Sequence, residues 1–297
     1  MPEIGRLLTA MVTPFSSDGE VDYNRAGELA KRIIGNGSDG LVIGGTTGES
    51  PSMNEEEKIK LFSKVKDSIG DDGTVIAGTT DNNTIKSIEL SQEAEKIGVD
   101  GILLTVPAYN KPTQGGLIKH FEKISNSVSI PGILYNVPSR TSLNMDLETT
   151  LHLSKIPNII GTKEASSDLD QINYIISNSD SDFKVWSGND NETFSIISTG
   201  GYGVVSVAGN IISSQIKKMI GFILEGNIEI AAKEHLRLLP IFNALFFITN
   251  PIPIRYAINR SGYDIGEGRL PMVPSEEEII NFAKKFDPIM DEYKIDL

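Results

Sequence analysis

Lys163 occupies a position where a cation is costly. It ends the apolar run IIGT (residues 159–162), and such a run, rich in β-branched residues, is typical of a buried strand. Burying an ammonium group without a partner is unfavourable, and desolvation lowers the pKa of a lysine. The free amine can condense with a ketone, and the resulting iminium withdraws electrons, so that a methyl group beside it loses a proton and attacks an aldehyde. The structural alternative is a salt bridge from Lys163 to Glu164 or to another carboxylate.

Tyr135 lies at the end of another apolar run and Arg140 follows that run, both within the segment YNVPSRT, residues 135–141. A phenol at the end of a strand could relay protons to a reacting group. Arg140 could bind a carboxylate through two parallel hydrogen bonds. A tyrosine that ends a strand is also a common packing residue, so this segment by itself leaves both interpretations open.

Thr46 and Thr47 lie in the glycine-rich segment GGTTGES, residues 44–50. Glycine lets the backbone approach a ligand closely, and threonine hydroxyls together with free amide groups can bind a carboxylate or a phosphate. The segment lacks the Gly-Lys-Ser/Thr sequence of a nucleotide P-loop. A tight turn rich in capping residues is the structural alternative. Gly188 lies at the end of a later apolar run. It could belong to a loop that binds an anion, or glycine could be needed there because the backbone is crowded at the rim of the barrel.

These polar segments all follow short apolar runs that recur through the first three quarters of the chain. Amphipathic stretches such as 54–69 and 83–98 predict helices between the runs. Apolar strands that alternate with helices form a parallel sheet covered on both faces, and eight such units predict a (β/α)8 TIM barrel. The carboxyl ends of the strands would then bring the polar segments together at one end of the barrel. The eight candidate strands lie at residues 7–13, 40–45, 74–79, 101–106, 132–137, 158–163, 184–188 and 202–209.

Only helical patterns follow residue 210. The first of them would complete the barrel, and the others predict a C-terminal helical extension packed on it. We therefore expect a catalytic barrel over residues 1–225 and the extension over residues 226–297. No strand is followed by the G-x-G-x-x-G turn of a dinucleotide fold. The four helical patterns lie near 211–225, 227–248, 251–260 and 275–291.

The composition limits the other partners that the chain could bind. With 40 acidic and 27 basic residues the net charge is −13, which disfavours nucleic acid and anionic membranes. The chain has no cysteine and its three histidines lie far apart, so we expect no metal site and no cofactor. The amino-terminal residues lack the pattern of a signal peptide, which predicts a cytoplasmic location.

Five segments resemble, in order and spacing, those of the dihydrodipicolinate synthase / N-acetylneuraminate lyase family of Schiff-base aldolases. They are GTTGES, YNVPSRT, GTKEAS, GGYGVVSVAGN and NPIPI, and the resemblance spans essentially the whole chain. It implies a pyruvate-dependent lyase in which Lys163 forms the Schiff base and Tyr135 carries protons to and from the imine. Thr46 and Thr47 resemble the pair that binds the pyruvate carboxylate, with Thr46 also in the proton relay. Tyr109 resembles a tyrosine that completes this relay in a neighbouring subunit, which implies a homotetramer of two tight dimers.

The segment after Tyr135 bears on substrate choice within the family. Arg140 resembles the arginine that binds the carboxylate of aspartate semialdehyde, and Gly188 and Val205 match positions that line the pyruvate pocket. The resemblance implies condensation of pyruvate with aspartate semialdehyde to hydroxytetrahydrodipicolinate, the entry to lysine and diaminopimelate biosynthesis. The alternative with the same chemistry is a sugar-acid aldolase that cleaves 2-keto-3-deoxygluconate or a similar compound to pyruvate and an aldehyde. A catalytically silent barrel that binds a keto acid is a third alternative, which the full set of catalytic residues disfavours.

Lysine-inhibited members of the family usually carry two adjacent tyrosines, a histidine and a glutamate at positions that hold other residues here. The matching positions are Ala108, Glu55 or Lys58, and Lys86, and only Asn82 is retained. The ammonium group of Lys86 would repel bound lysine where a glutamate would attract it. We therefore predict weak or absent inhibition by lysine.

Overall fold

The apolar runs form parallel strands that close into a barrel in chain order. The computed structural model describes residues 3–297. The predicted (β/α)8 barrel is confirmed. The first strand ends at Ala10 rather than at residue 13, because the chain leaves the barrel there and Phe15 instead pairs with Val21 in an antiparallel bridge. The strands are β1 (Leu7–Ala10), β2 (Gly40–Ile43), β3 (Thr74–Gly78), β4 (Gly101–Thr105), β5 (Gly132–Asn136), β6 (Ile159–Glu164), β7 (Lys184–Ser187) and β8 (Gly203–Ser206).

The helices begin and end where the sequence supplies caps. Asn54 and Glu57 form a capping box at the start of the second helix, and Gly98 ends the third helix in the left-handed region with φ 86°. Both predicted amphipathic helices are confirmed. In chain order the helices are α1 (Tyr23–Gly35), α2 (Glu55–Ile69), α3 (Thr84–Ile97), α4 (Gln114–Ser125), α5 (Pro138–Thr141), α6 (Leu147–Leu153), α7 (Leu169–Asn178), α8 (Thr193–Ser198), α9 (Gly209–Leu224), α10 (Ile228–Ala244), α11 (Ile252–Arg260) and α12 (Glu276–Met290).

Two apolar layers separate the inside of the barrel from its helical coat. The inner layer fills the barrel with side chains that include Leu8, Val42, Leu103 and Trp186, all at most 1% exposed. The outer layer lies between the strands and the helices and is much larger. Successive side chains of a strand point to opposite faces, so each strand contributes to both layers. The inner layer makes the barrel a packed core and forms the floor beneath its carboxyl end.

The helices α10, α11 and α12 form the predicted C-terminal extension, and a buried ion pair joins it to the barrel. Arg255 of α11 contacts Glu49, in the loop after β2, at 2.7 Å, and both side chains are almost fully buried. The helix predicted over 227–248 ends at Ala244, after which the chain turns towards the barrel mouth. The division of the chain at residue 225 stays a prediction. Within residues 3–297 no helix is long and apolar enough to span a lipid bilayer.

Candidate active site

Residues at or just after the carboxyl ends of seven strands line a cavity of about 160 Å³. This is the end of a (β/α)8 barrel where the loops from strand to helix meet, and where the sequence predicts the polar segments to converge. Residues from the loop after α10 close one side of the cavity. The predicted site residues that line it are Lys163, Tyr135, Thr46, Thr47, Arg140 and Gly188.

Lys163 is buried in this cavity, with a side chain that is cut off from solvent. The residue is 6% exposed, and its Nζ lies 4.0 Å from the centre of the Tyr135 ring. Burial lowers the pKa of Lys163 to about 7, while the nearby Asp190 opposes the shift and Arg140 adds to it. Among residues 3–297, no carboxylate forms a salt bridge with Lys163, so the structural alternative considered above does not occur. A substantial fraction of the amine is therefore neutral near neutral pH and available as a nucleophile.

Tyr135 presents its phenol beside this amine in the protonated form. Burial raises the pKa of Tyr135 to about 12, although Arg140 and hydrogen bonding with Thr46 act in the opposite direction. A phenol that keeps its proton at neutral pH can donate it to a departing hydroxyl group and recover it through a hydrogen-bonded neighbour. Thr46 is the neighbour that the sequence assigns to this relay.

The register between β5 and β6 brings the two groups together. Tyr135 pairs with Lys163 across the two strands, and one residue further along Asn136 pairs with Glu164. Because side chains alternate between the faces of a strand, the first pair points into the barrel and the second points outwards. The proximity of amine and phenol is thus a consequence of strand pairing.

Asn250 links Thr47 and Arg140 at the edge of the cavity. Its side-chain nitrogen donates a hydrogen bond of 3.0 Å to the Thr47 hydroxyl, and its main-chain oxygen accepts one of 3.2 Å from the Arg140 guanidinium. Because the Thr47 oxygen accepts from Asn250, the Thr47 hydrogen is free to be donated to a substrate carboxylate. Arg140 is held at the mouth of the cavity, where it is open to a second ligand.

Two predicted site residues lie outside the cavity lining. Tyr109 is 93% exposed, with φ at 69°, in the loop after β4. Val205 is fully buried in the inner apolar layer, and Val207, two residues further along, lines the cavity instead. The individual roles assigned to all of these residues stay predictions.

Sequence reasoning missed Asp190 and Asn250 as parts of this site. The Asp190 carboxylate is buried, accepts hydrogen bonds of 3.1 and 3.0 Å from the main-chain N–H groups of Val207 and Ala208, and contacts the Ser206 hydroxyl. It therefore fixes the loop after β8 and lies close enough to Lys163 to affect the pKa of that residue. Asp190 lies just after a predicted strand, and Asn250 begins the segment NPIPI that resembles the family, but neither residue was assigned a role from these signals.

Comparison with known proteins identifies the family. Residues 3–286 match the Dihydrodipicolinate synthetase family. The chain belongs to this family. It is 53% identical over 278 residues to the 4-hydroxy-tetrahydrodipicolinate synthase of Dehalococcoides mccartyi strain CBDB1. The aligned residues cover 94% of each chain. Membership confirms the family inferred from the five segments, and with it the class of pyruvate-dependent lyases that act through a Schiff base.

Solved structures of the family match the whole fold. A crystal structure of dihydrodipicolinate synthase from Bacillus anthracis superimposes with a TM-score of 0.95 at 38% identity and covers 99% of both chains. The enzyme from Cyanidioschyzon merolae, solved with lysine bound, gives a TM-score of 0.94 at 40% identity over 98% of this chain and 99% of its own. The structural similarity therefore includes the helical extension as well as the barrel.

Proposed function

We propose that this protein is a 4-hydroxy-tetrahydrodipicolinate synthase, which condenses pyruvate with aspartate semialdehyde. The observation that carries the proposal is the buried amine of Lys163, whose pKa is lowered to about 7, in a cavity that also contains a phenol, two threonines and a guanidinium. The name and the 53% identity of the relative from Dehalococcoides mccartyi support the choice of the synthase over a sugar-acid aldolase.

Lys163 begins the reaction by attacking the carbonyl carbon of pyruvate. Loss of water, with a proton supplied by Tyr135, leaves an iminium ion between the lysine nitrogen and the pyruvate carbon. Thr47, whose hydroxyl hydrogen is free, binds the pyruvate carboxylate. Removal of a proton from the pyruvate methyl group then gives an enamine, because the iminium accepts the electron pair. The narrow cavity keeps the nucleophilic carbon away from water.

The aldehyde of the second substrate is the electrophile for this enamine. The new bond joins the former methyl carbon to the aldehyde carbon, and the aldehyde oxygen takes a proton from the relay. The amino group of the semialdehyde then attacks the iminium carbon and displaces Lys163, which closes the ring and frees the enzyme. Every atom of the product therefore comes from the two substrates, and the reaction releases one water molecule.

Arg140 and Asn250 fit the charged groups of aspartate semialdehyde. The Arg140 guanidinium at the cavity mouth offers a partner for the carboxylate. The side-chain oxygen of Asn250 is buried and lacks a hydrogen-bond partner within residues 3–297, so it offers an acceptor for the ammonium group. Glyceraldehyde has neither a carboxylate nor an ammonium group, so these two contacts favour the semialdehyde.

Tyr109 is proposed to act in a neighbouring subunit. Its ring is 93% exposed and lies outside the cavity of its own chain, which suits a residue that another copy of the chain covers. We propose a homotetramer of two tight dimers in which Tyr109 completes the proton relay of the partner site. We also propose a cytoplasmic location, in keeping with a role in lysine and diaminopimelate biosynthesis.

A side-by-side assay of the purified protein tests the proposed function. Pyruvate is supplied with either aspartate semialdehyde or glyceraldehyde, and product formation is followed. We expect a higher kcat/KM with the semialdehyde. A preference for glyceraldehyde would instead make the protein a sugar-acid aldolase, and Arg140 would lose its assigned role.

A further inference from the structure

Glu164 is a buried carboxyl group that the reaction described above does not use. It follows Lys163 directly in β6, is 0% exposed, and points away from the cavity into the layer between the strands and the helices. Among residues 3–297 it forms no salt bridge. Its contacts are all neutral hydrogen-bonding groups, which are the side chains of Asn136, Thr162 and Ser166. A buried acid without a cation to neutralise it requires a separate explanation.

The contact with Asn136 joins the two strands that carry the catalytic pair. The Asn136 side-chain nitrogen donates to Glu164 Oε2 at 3.2 Å, and the two residues face each other in the register that pairs Tyr135 with Lys163. The bridge on the outer face therefore lies one residue beyond the amine and the phenol on the inner face. A shift of either strand would change both pairs together.

The same asparagine extends the bridge into the loop that follows Arg140. Asn136 donates to the Asn144 side chain at 2.7 Å and accepts from the main-chain N–H of Met145 at 3.0 Å. Asn144 in turn donates to Gln171 of α7 at 2.8 Å. Glu164 thus lies at one end of a chain of hydrogen bonds that spans β6, β5, the loop before α6, and α7.

We propose that Glu164 is a positioning residue that holds Lys163 against Tyr135, that it does so in its protonated, neutral form, and that loss of its proton releases the pair. The inference rests on the proposed function, because it takes Lys163 and Tyr135 as the reacting pair. A neutral carboxyl group has one carbonyl oxygen, which accepts from Asn136 and Ser166, and one hydroxyl group, which faces Thr162. A carboxylate at the same place would be a buried, unpaired charge.

The charges around Glu164 favour the neutral form. Burial raises the pKa of Glu164 to about 8 against the hydrogen bonds from Ser166, Asn136 and Thr162, which lower it, and with a smaller raising effect of Asp168 at the start of α7. The acid keeps its proton below about pH 8 and loses it as the pH rises through that value.

The pH profile of turnover separates a positioning acid from a merely structural one. Lys163 must be neutral to react, so kcat/KM rises as the pH passes its pKa of about 7. Ionisation of Glu164 then lowers kcat/KM above about 8, which gives a bell-shaped profile. Glu164→Gln keeps one acceptor and one donor but cannot ionise, so we expect its high-pH decrease to disappear while the low-pH flank stays. Glu164→Ala removes the bridge, so below about pH 8 we expect its kcat to be at least about tenfold lower than that of the wild type, with a smaller change in the KM for pyruvate.

Glu95→Gln is the matched control, because Glu95 is a partly exposed carboxylate that accepts hydrogen bonds from Ser129 and lies outside the cavity lining. We expect this variant to reproduce the wild-type bell. Borohydride reduction of wild-type protein with pyruvate, followed by mass measurement of the peptide that carries Lys163, tests the proposed function separately. An adduct on Lys163 combined with identical pH profiles for the wild type and Glu164→Gln would overturn the role of Glu164 alone. Absence of the adduct would overturn the proposed function itself.

Discussion

The two ends of the barrel each group a lysine, a tyrosine and an arginine, yet only one of these triads is a candidate for catalysis. At the carboxyl end the triad is Lys163, Tyr135 and Arg140. At the amino end Lys184 Nζ lies 4.7 Å and Arg6 Cζ lies 4.3 Å from the centre of the Tyr202 ring. The adjoining cavity at the amino end is the larger, at about 490 Å³.

Burial distinguishes the two triads more than composition or cavity size does. Lys163 is 6% exposed and loses its hydration, so its amine becomes neutral near pH 7. Lys184 begins its strand instead of ending it, and its side chain remains partly open to water. The hydroxyl of Tyr202 already makes a structural contact, because it donates a hydrogen bond of 3.0 Å to the main-chain oxygen of Ile4. A reactive lysine therefore requires a desolvated site at the carboxyl end of the strands.

Replacement of the two lysines should give the largest contrast. Lys163→Ala removes the nucleophile, so we expect turnover to fall by at least about 10⁴-fold and the borohydride-trapped pyruvate adduct to vanish. Lys184→Ala should retain both. The measurement is a steady-state assay combined with the mass of the trapped protein, and normal turnover in Lys163→Ala would refute the Schiff-base mechanism.

Removal of the two phenol hydroxyls should give the next largest contrast. Tyr135→Phe keeps the ring but eliminates the proton donor, and general acid–base groups of this kind contribute about 10²- to 10⁴-fold to rate. We expect that loss in kcat. Tyr202→Phe loses only the hydrogen bond to Ile4, so its kcat should match the wild type while its free energy of unfolding falls by about 1 kcal/mol. Equal kcat values for the two variants would show that Tyr135 is a packing residue.

Replacement of the two arginines should sharpen the question of substrate. Arg140→Ala removes a charge-assisted contact with the semialdehyde carboxylate, which costs about 2 to 4 kcal/mol, or about 30- to 1000-fold in kcat/KM. The KM for pyruvate should change little. Arg6→Ala, checked for intact folding by circular dichroism, should leave both constants close to the wild type. An Arg140→Ala variant that loses activity equally with glyceraldehyde would show that Arg140 does not select the aldehyde.

The smallest expected effect is that of added lysine on turnover at the carboxyl-end triad. Burial lowers the pKa of Lys58, Asp81 and Glu55 oppose that shift, and the ammonium group of Lys86 adds a smaller lowering. The ammonium group of Lys86 stands where a glutamate would attract lysine, so we expect no saturable heat in an isothermal titration and no inhibition of turnover. Lys86→Glu exchanges repulsion for attraction and should strengthen any residual binding. Tight binding of lysine to the wild-type protein would contradict the prediction.

Much of the fold was readable from local patterns. The eight apolar runs form the eight strands, with ends displaced by a few residues. A strand that is apolar on both faces is buried in a parallel sheet that amphipathic helices cover. Asn54 begins a helix through its side-chain hydrogen bond, and Gly98 ends one because a residue without Cβ adopts the left-handed conformation easily. The turn after Ala244 was missed, since helical spacing in the sequence continues to residue 248 while the chain leaves the helix to reach the barrel mouth.

The sequence by itself determined that Lys163 lies near the carboxyl end of a buried strand, that Tyr135 lies near the carboxyl end of another strand with Arg140 just after it, and that the chain belongs to one family. These conclusions depend on local spacing and on the order of segments. Only the tertiary structure decided that Asn250 contacts Thr47 across 203 positions, that Val207 lines the cavity where Val205 does not, and that Glu164 faces Asn136. Contacts between distant segments depend on strand register and barrel closure, which local spacing does not specify.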